Sequence, residues 1–137
     1  MSERSHTIVS DVMTTSIISI DATATVHDAT VLMREHKKSS VLVNRRDDSD
    51  EFGLVVVSDI ASRVLAQNLS PKRVNVYEIM SKPVLTVPVE MNIVYAIRML
   101  ANFKLSRALV IDHDRNPLGI VTLRDMVLRN IKDIEDE

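Results

Sequence analysis

The chain has no cysteine and no tryptophan, and only two glycines in 137 residues. Without cysteine there is no disulfide, no thiolate zinc site and no thiol nucleophile. Gly53 and Gly119 alone cannot build the glycine-rich loop of a Walker-type NTPase. Aromatics are 3% of residues, and no basic-aromatic stretch suited to stacking on single-stranded nucleic acid is present. A formal charge of -2 gives no general pull toward nucleic acid or an anionic membrane. No apolar run approaches the length of about 20 residues that crosses a bilayer. The opening residues, Met1 to His6, are polar and lack a signal-peptide apolar segment, so the cytoplasm is the expected compartment. With 45% hydrophobic residues and few rings, the core is expected to be Val, Ile, Leu and Met.

What is present is a duplication. Val9, Ser10, Asp11, Val12, Met13 return as Val76, Tyr77, Glu78, Ile79, Met80, 67 positions later. The same offset aligns Ala29 with Ala96, Lys37 with Lys104, Ser39 with Ser106 and Leu42 with Leu109. One residue is then lost, and an offset of 66 aligns Gly53 with Gly119, Asp59 with Asp125 and Arg63 with Arg129. Two copies are too few for a solenoid. Each copy is also too small to bury a comfortable core alone, so the two are expected to share one.

Each copy reads as strand, helix, strand, strand, helix. In the first, Ile17–Ile20 is a short β-branched run. Thr25 and Asp28 form a capping box that opens a helix through about His36, with Val26, Ala29, Leu32 and Met33 at helical spacing. Val41–Val43 and Phe52–Val57 are strands, and a helix runs from Ser58 to about Asn68. The loop from Asn44 to Glu51 mixes opposite charges and reads as solvated. In the second copy, strands fall at Val84–Val87, Ala108–Ile111 and Leu118–Thr122, with helices at Ile93–Phe103 and Leu123–Lys132. Asn68–Arg73 is the linker, and the acidic tail from Asp133 is expected to fray. Strands alternating with helices give an α/β or α+β class. Short polar loops make the later strand pairs antiparallel, while the first strand, set off by a helix, can lie parallel.

One segment invites a chemical reading. Gly119 to Asp125 ends a strand, presents Thr122 and places a carboxylate three residues later on the first turn of a helix. Two readings stand side by side. Thr-x-x-Asp is a common helix N-terminal cap. A carboxylate at a strand-to-helix corner also accepts both hydroxyls of a ribose, and the helix N-terminus favours a phosphate that Arg124 reaches as a charged donor.

The repeat resembles the CBS motif, and the pair resembles a tandem CBS (Bateman) module. The residues that carry this are Val12–Ile20 and Ile79–Val87, the strand Leu105–Asp112, and Gly119–Asp125 with its Gly-h-h-Thr-x-x-Asp form, where h is hydrophobic. The resemblance covers about residues 7–132. It implies two βαββα repeats, 7–68 and 74–132, packed sheet to sheet about a pseudo-two-fold axis. It further implies a non-enzymatic regulatory module binding AMP, ADP, ATP or another adenosyl ligand such as S-adenosylmethionine between the repeats. Ribose contacts map onto Thr122 and Asp125, phosphate contacts onto Arg124, Ser106 and Arg107, and the adenine slot onto Lys82, Pro83, Val84 and Leu85. Ser39 and Ser40, with Lys37 and Lys38, are candidates for the other cleft's phosphate. For the lysines the alternative is a solvated helix end.

The copies disagree where it matters. The first keeps Asp59 but has Val56 in place of Thr122, Ser58 in place of Arg124 and Ser40 in place of Arg107. The expected second site, Asp59 and Ser58 with Ile17 and Ile18, is therefore weaker. His6, His27, His36 and His113 show no metal-ligand spacing, and no nucleophile–base pair suggests an enzyme. A free-standing module acts through a partner or its own assembly. A homodimer through the Ile93–Phe103 and Leu123–Ile131 helices is the expectation, with an effector protein as a further partner and a ligand-free scaffold as the alternative.

Overall fold

The computed structural model describes residues 6–137, in two compact units. One unit is Ile17–Val84. The other is Leu85–Glu137 with the N-terminal segment through Ser16.

In the first unit, β1 (Ser19–Ile20) lies parallel to β2 (Ser40–Val43), which pairs antiparallel with β3 (Gly53–Val56). Helix α1 (Val26–His36) starts at a closed capping box: Asp28 N donates to Thr25 Oγ1 at 3.1 Å, and Thr25 N donates to Asp28 Oδ2 at 3.2 Å. It ends at Lys37, which adopts the left-handed conformation at φ 55°. Helix α2 (Val57–Ile60) passes at once into a π turn, Ala61–Leu65. The core is aliphatic: Val26, Ala29, Met33, Val41, Val43, Val55, Ile60 and Val64. Val74, Val76 and Ile79, from the opening of the second copy, join it.

The second unit repeats the plan. β4 (Thr86–Pro88) is parallel to β5 (Arg107–Ile111), and β5 is antiparallel to β6 (Pro117–Thr122). Helices α3 (Ile93–Phe103) and α4 (Leu123–Glu135) complete it. Val87, Ile93, Ala96, Leu100, Ala108, Val110, Val121 and Met126 form its core, and Val9 joins them from the opening of the first copy.

Each opening segment thus packs with the body of the other copy. Thr14 bridges Ile120, and Ser81 bridges Leu54 at the equivalent place. This explains the paired glycines. A Cβ on Gly53 would lie 2.8 Å from Met80 Sδ, and one on Gly119 would lie 2.8 Å from Met13 Sδ. Carbon and sulfur do not rest that closely, so a Cβ at either position would displace the methionine of the incoming segment.

Several expectations are corrected. The first strand is two residues long, because only Ser19 and Ile20 find partners on β2. The helix expected over Ser58–Asn68 is regular for four residues before its bonding shifts to the π pattern. The tail does not fray at Asp133. Its carboxylate accepts from Thr7 Oγ1 at 2.7 Å and Arg129 Nε at 3.1 Å, and α4 continues to Glu135. The loop over 44–51 is not wholly solvated either, since Asp50 is buried within it.

Candidate functional site

Backbone pairing gathers the candidate residues of the second copy at one end of its sheet. Arg107 lies opposite Thr122 across β5–β6. Leu123 N donates to Ser106 O at 2.8 Å, and Leu109 N donates to Leu85 O at 2.9 Å. Ser106, Arg107 and Thr122 therefore meet where β6 turns into α4, and Leu85 lies on the other side of β5.

Thr122 caps that helix, its Oγ1 accepting from Asp125 N at 3.1 Å. The cap accounts for the hydroxyl and the Asp125 N–H, but not for the Asp125 carboxylate. At Thr25 the box closes, because the Asp28 carboxylate turns back onto the Thr25 N–H. At Thr122 the carboxylate points elsewhere, and Asp125 Oδ1 accepts from Arg124 Nη1 at 3.3 Å. The Asp125 side chain is 40% exposed and that of Arg124 79%. A hydroxyl, an accessible carboxylate and an exposed guanidinium thus stand on the first turn of a 13-residue helix, where the backbone dipole also favours an anion.

The first copy builds the same corner with the same backbone. Ser40 lies opposite Val56, Val57 N donates to Ser39 O at 3.0 Å, and Leu42 N donates to Ile18 O at 2.9 Å. Its side chains differ. Val56 gives α2 no side-chain cap, Ser58 is exposed where Arg124 stands, and Asp59 is half-buried. Ile17 and Ile18, just before β1, are half-buried.

Lys82, Pro83 and Val84 belong to the Ile17–Val84 unit. Val84 is buried and donates its N–H to Phe52 O at 3.0 Å, while Pro83 is exposed and joined to Lys82 by a cis peptide. Lys82 has a structural partner that sequence reasoning missed: its Nζ is 2.7 Å from Asp50 Oδ1. Asp50 also accepts from Arg46 N at 2.9 Å and Arg46 Nε at 3.3 Å. The Lys82 ammonium, aided by these N–H donors, holds the Asp50 carboxyl well below its usual range. The loop's charge alternation gave no sign of this, since nothing local marks Asp50 as the one carboxylate drawn inward. Lys37 forms the left-handed end of α1, as Lys104 does for α3.

Among the described residues no group of His, Asp and Glu is placed to hold a metal ion. No described helix is long and apolar enough to cross a membrane.

Two repeats with opening segments exchanged between copies make up this fold, and the comparisons give its family. The CBS domain family matches residues 9–66 and 76–130, and the chain belongs to that family. CBS domains are generally regulatory rather than catalytic. An uncharacterized protein of Methanopyrus kandleri is 30% identical over 120 residues, covering 87% of this chain and 60% of that protein. The chain thus spans about three-fifths of that relative's length. Among solved structures, a hexameric CBS-CP12 protein from bloom-forming cyanobacteria superimposes with a TM-score of 0.86 at 35% identity, over 90% of this chain and 71% of the other. The CBS domain of a bacterial CNNM/CorC family Mg2+ transporter, in complex with ATP, gives 0.76 at 29% identity, over 94% of this chain and 90% of the other.

Proposed function

We propose that this chain is a non-enzymatic regulatory module that binds an adenine nucleotide at the Thr122–Asp125 corner of its second repeat. The supporting observation is the Asp125 carboxylate, which the helix cap leaves unused and exposed beside Arg124. A carboxylate there accepts ribose hydroxyls, and Arg124, Arg107 and Ser106 supply donors to phosphate. Leu85 offers an apolar contact for adenine. The ATP complex of the transporter's CBS domain favours a nucleotide over other anions. AMP, ADP and ATP come first as ligands, and S-adenosylmethionine next. The corner at Asp59 and Ser58, with Ile17 and Ile18, is weak or empty for charged ligands. The module works in the cytoplasm and transmits occupancy through a homodimer or a separate effector protein. Transmission requires different ligand affinities in the two states of whatever it regulates.

A second reading is a ligand-free dimerisation scaffold, which Val56 favours for the first repeat. Thermal melts with AMP, ADP, ATP, S-adenosylmethionine and NAD separate the two. A ligand at 100 times its dissociation constant stabilises the folded chain by roughly 2.7 kcal/mol. We expect a clear upward shift with at least one adenine nucleotide. No shift with any of them would leave the scaffold.

A further inference from the structure

A groove of about 330 Å³ opens between α1 and α2 with its π turn, within the Ile17–Val84 unit. Met33 and Ile60, both buried, make its floor, and Val57 and Leu65, 50% and 58% exposed, are apolar walls. Arg34 and Lys38 bring two cations to it from the α1 side. Among the described residues that line it there is no carboxylate and no aromatic ring.

The second copy differs at these positions in both space and charge. The offsets of 67 and 66 set Ile97 against Thr30 and Val127 against Ala61, so larger side chains stand where the groove has small ones. They set Ala101 against Arg34 and Leu105 against Lys38, so both cations are missing there. Room and positive charge therefore belong to the first copy together. The wall from Ala61 to Leu65 is a π turn, whereas α4 is regular helix over 13 residues. Such turns occur often at functional sites.

Small-molecule sites join an apolar lining to a few placed polar groups, and this groove lies at the small end of their roughly 300–1,000 Å³ range. Its chemistry suits a molecule with a short aliphatic tail and an anionic head. Arg34 is exposed and offers a carboxylate charge-assisted hydrogen bonds. A nucleoside suits it poorly, since the lining has neither a ring to stack a base nor a carboxylate to accept ribose hydroxyls.

We infer that the α1–α2 groove binds a small aliphatic carboxylate, its chain over Met33 and Ile60 and its head against Arg34 and Lys38. This goes beyond the nucleotide reading and does not depend on it.

Methyl NMR on the full chain, titrated with octanoate, 1-octanol and octyltrimethylammonium, tests it. Octanoate is expected to give saturable shifts confined to the methyls of Met33, Ile60, Ala61 and Leu65. The alcohol should bind roughly tenfold more weakly, for want of the charge-assisted bond, and the cation not at all. Thr30→Ile together with Ala61→Val copies the second repeat and should abolish the octanoate shifts at Met33 and Ile60. Arg34→Ala should lower octanoate to the affinity of 1-octanol and leave 1-octanol unchanged. Arg34 is exposed, so this variant decides the matter if circular dichroism shows the filled one to be misfolded. Equal binding of all three molecules would mean apolar adsorption and overturns the inference. So do octanoate shifts that persist in the filled variant. An absence of saturable shifts overturns it too, including the case in which sedimentation shows the groove covered by a second copy. None of these failures touches the nucleotide reading, which the thermal melts decide separately.

Discussion

The two strand-to-helix corners share a backbone and differ in their first helical turn. At β6–α4 a threonine caps, a carboxylate is left over and a helix of 13 residues follows. At β3–α2 valine stands in the cap position and regular helix lasts four residues before a π turn. Identical ladder registers at Arg107/Thr122 and Ser40/Val56 show that the sheet does not demand the threonine. The fold tolerates either residue, so the polar set at α4 is an addition to the fold rather than a condition of it.

The largest contrast is expected at the glycines. A Cβ at Gly119 meets Met13 Sδ at 2.8 Å and the Thr14 carbonyl oxygen also at 2.8 Å, whereas at Gly53 the nearest backbone oxygen is 3.3 Å away. A methionine tip can move and a backbone carbonyl cannot move without the strand. Gly119→Ala should cost about 1–3 kcal/mol and Gly53→Ala clearly less, by denaturant melts. Equal costs would mean that the two opening segments sit alike.

A reciprocal exchange comes next. Thr122→Val should remove about 1 kcal/mol of helix capping, and Val56→Thr should return stability of the same order to α2. Urea titrations of both variants check this. If Val56→Thr gains nothing, the irregularity of α2 is set by packing around the π turn rather than by the missing cap.

The smallest effect concerns acid. Lys82 lowers the folded-state value of Asp50 below its ordinary 3.8. A depressed carboxyl contributes stability that is complete above its unfolded value and is lost as pH falls through the folded one. Wild type should therefore lose melting temperature more steeply below about pH 4 than Asp50→Asn does. Matching slopes would show that the pair adds nothing. The other unit has Asn116 in place of Asp50 and Thr15 in place of Lys82, so this response belongs to one unit only.

Much of this plan was legible in the chain. The offset of the two copies located both corners, and helix α3 begins and ends where its apolar spacing stops. Local signals sufficed there, because periodicity and the residues after Phe103 act within a few positions. The exchange of opening segments was not legible. A repeat shows which residues correspond, not which body each segment joins, and Val9 and Val76 are equally apolar in either place. The Asp50–Lys82 pair and the Thr7–Asp133 bond escaped for the same reason: their partners are 32 and 126 positions apart. The candidate site lay between these cases. Thr-x-x-Asp was visible, but only the turn of the Asp125 carboxylate away from the Thr122 N–H separates it from the closed box at Thr25.

Isothermal titration of wild type, Asp125→Ala and Asp59→Ala with AMP, ADP and ATP tests the asymmetry most directly. Circular dichroism must accompany it, since Asp125→Ala can also cost about 1 kcal/mol at the helix start. The expected result is that folded Asp125→Ala loses nucleotide binding and Asp59→Ala keeps most of it. Equal loss from both, or greater loss from Asp59→Ala, would contradict the assignment of the nucleotide to the second corner.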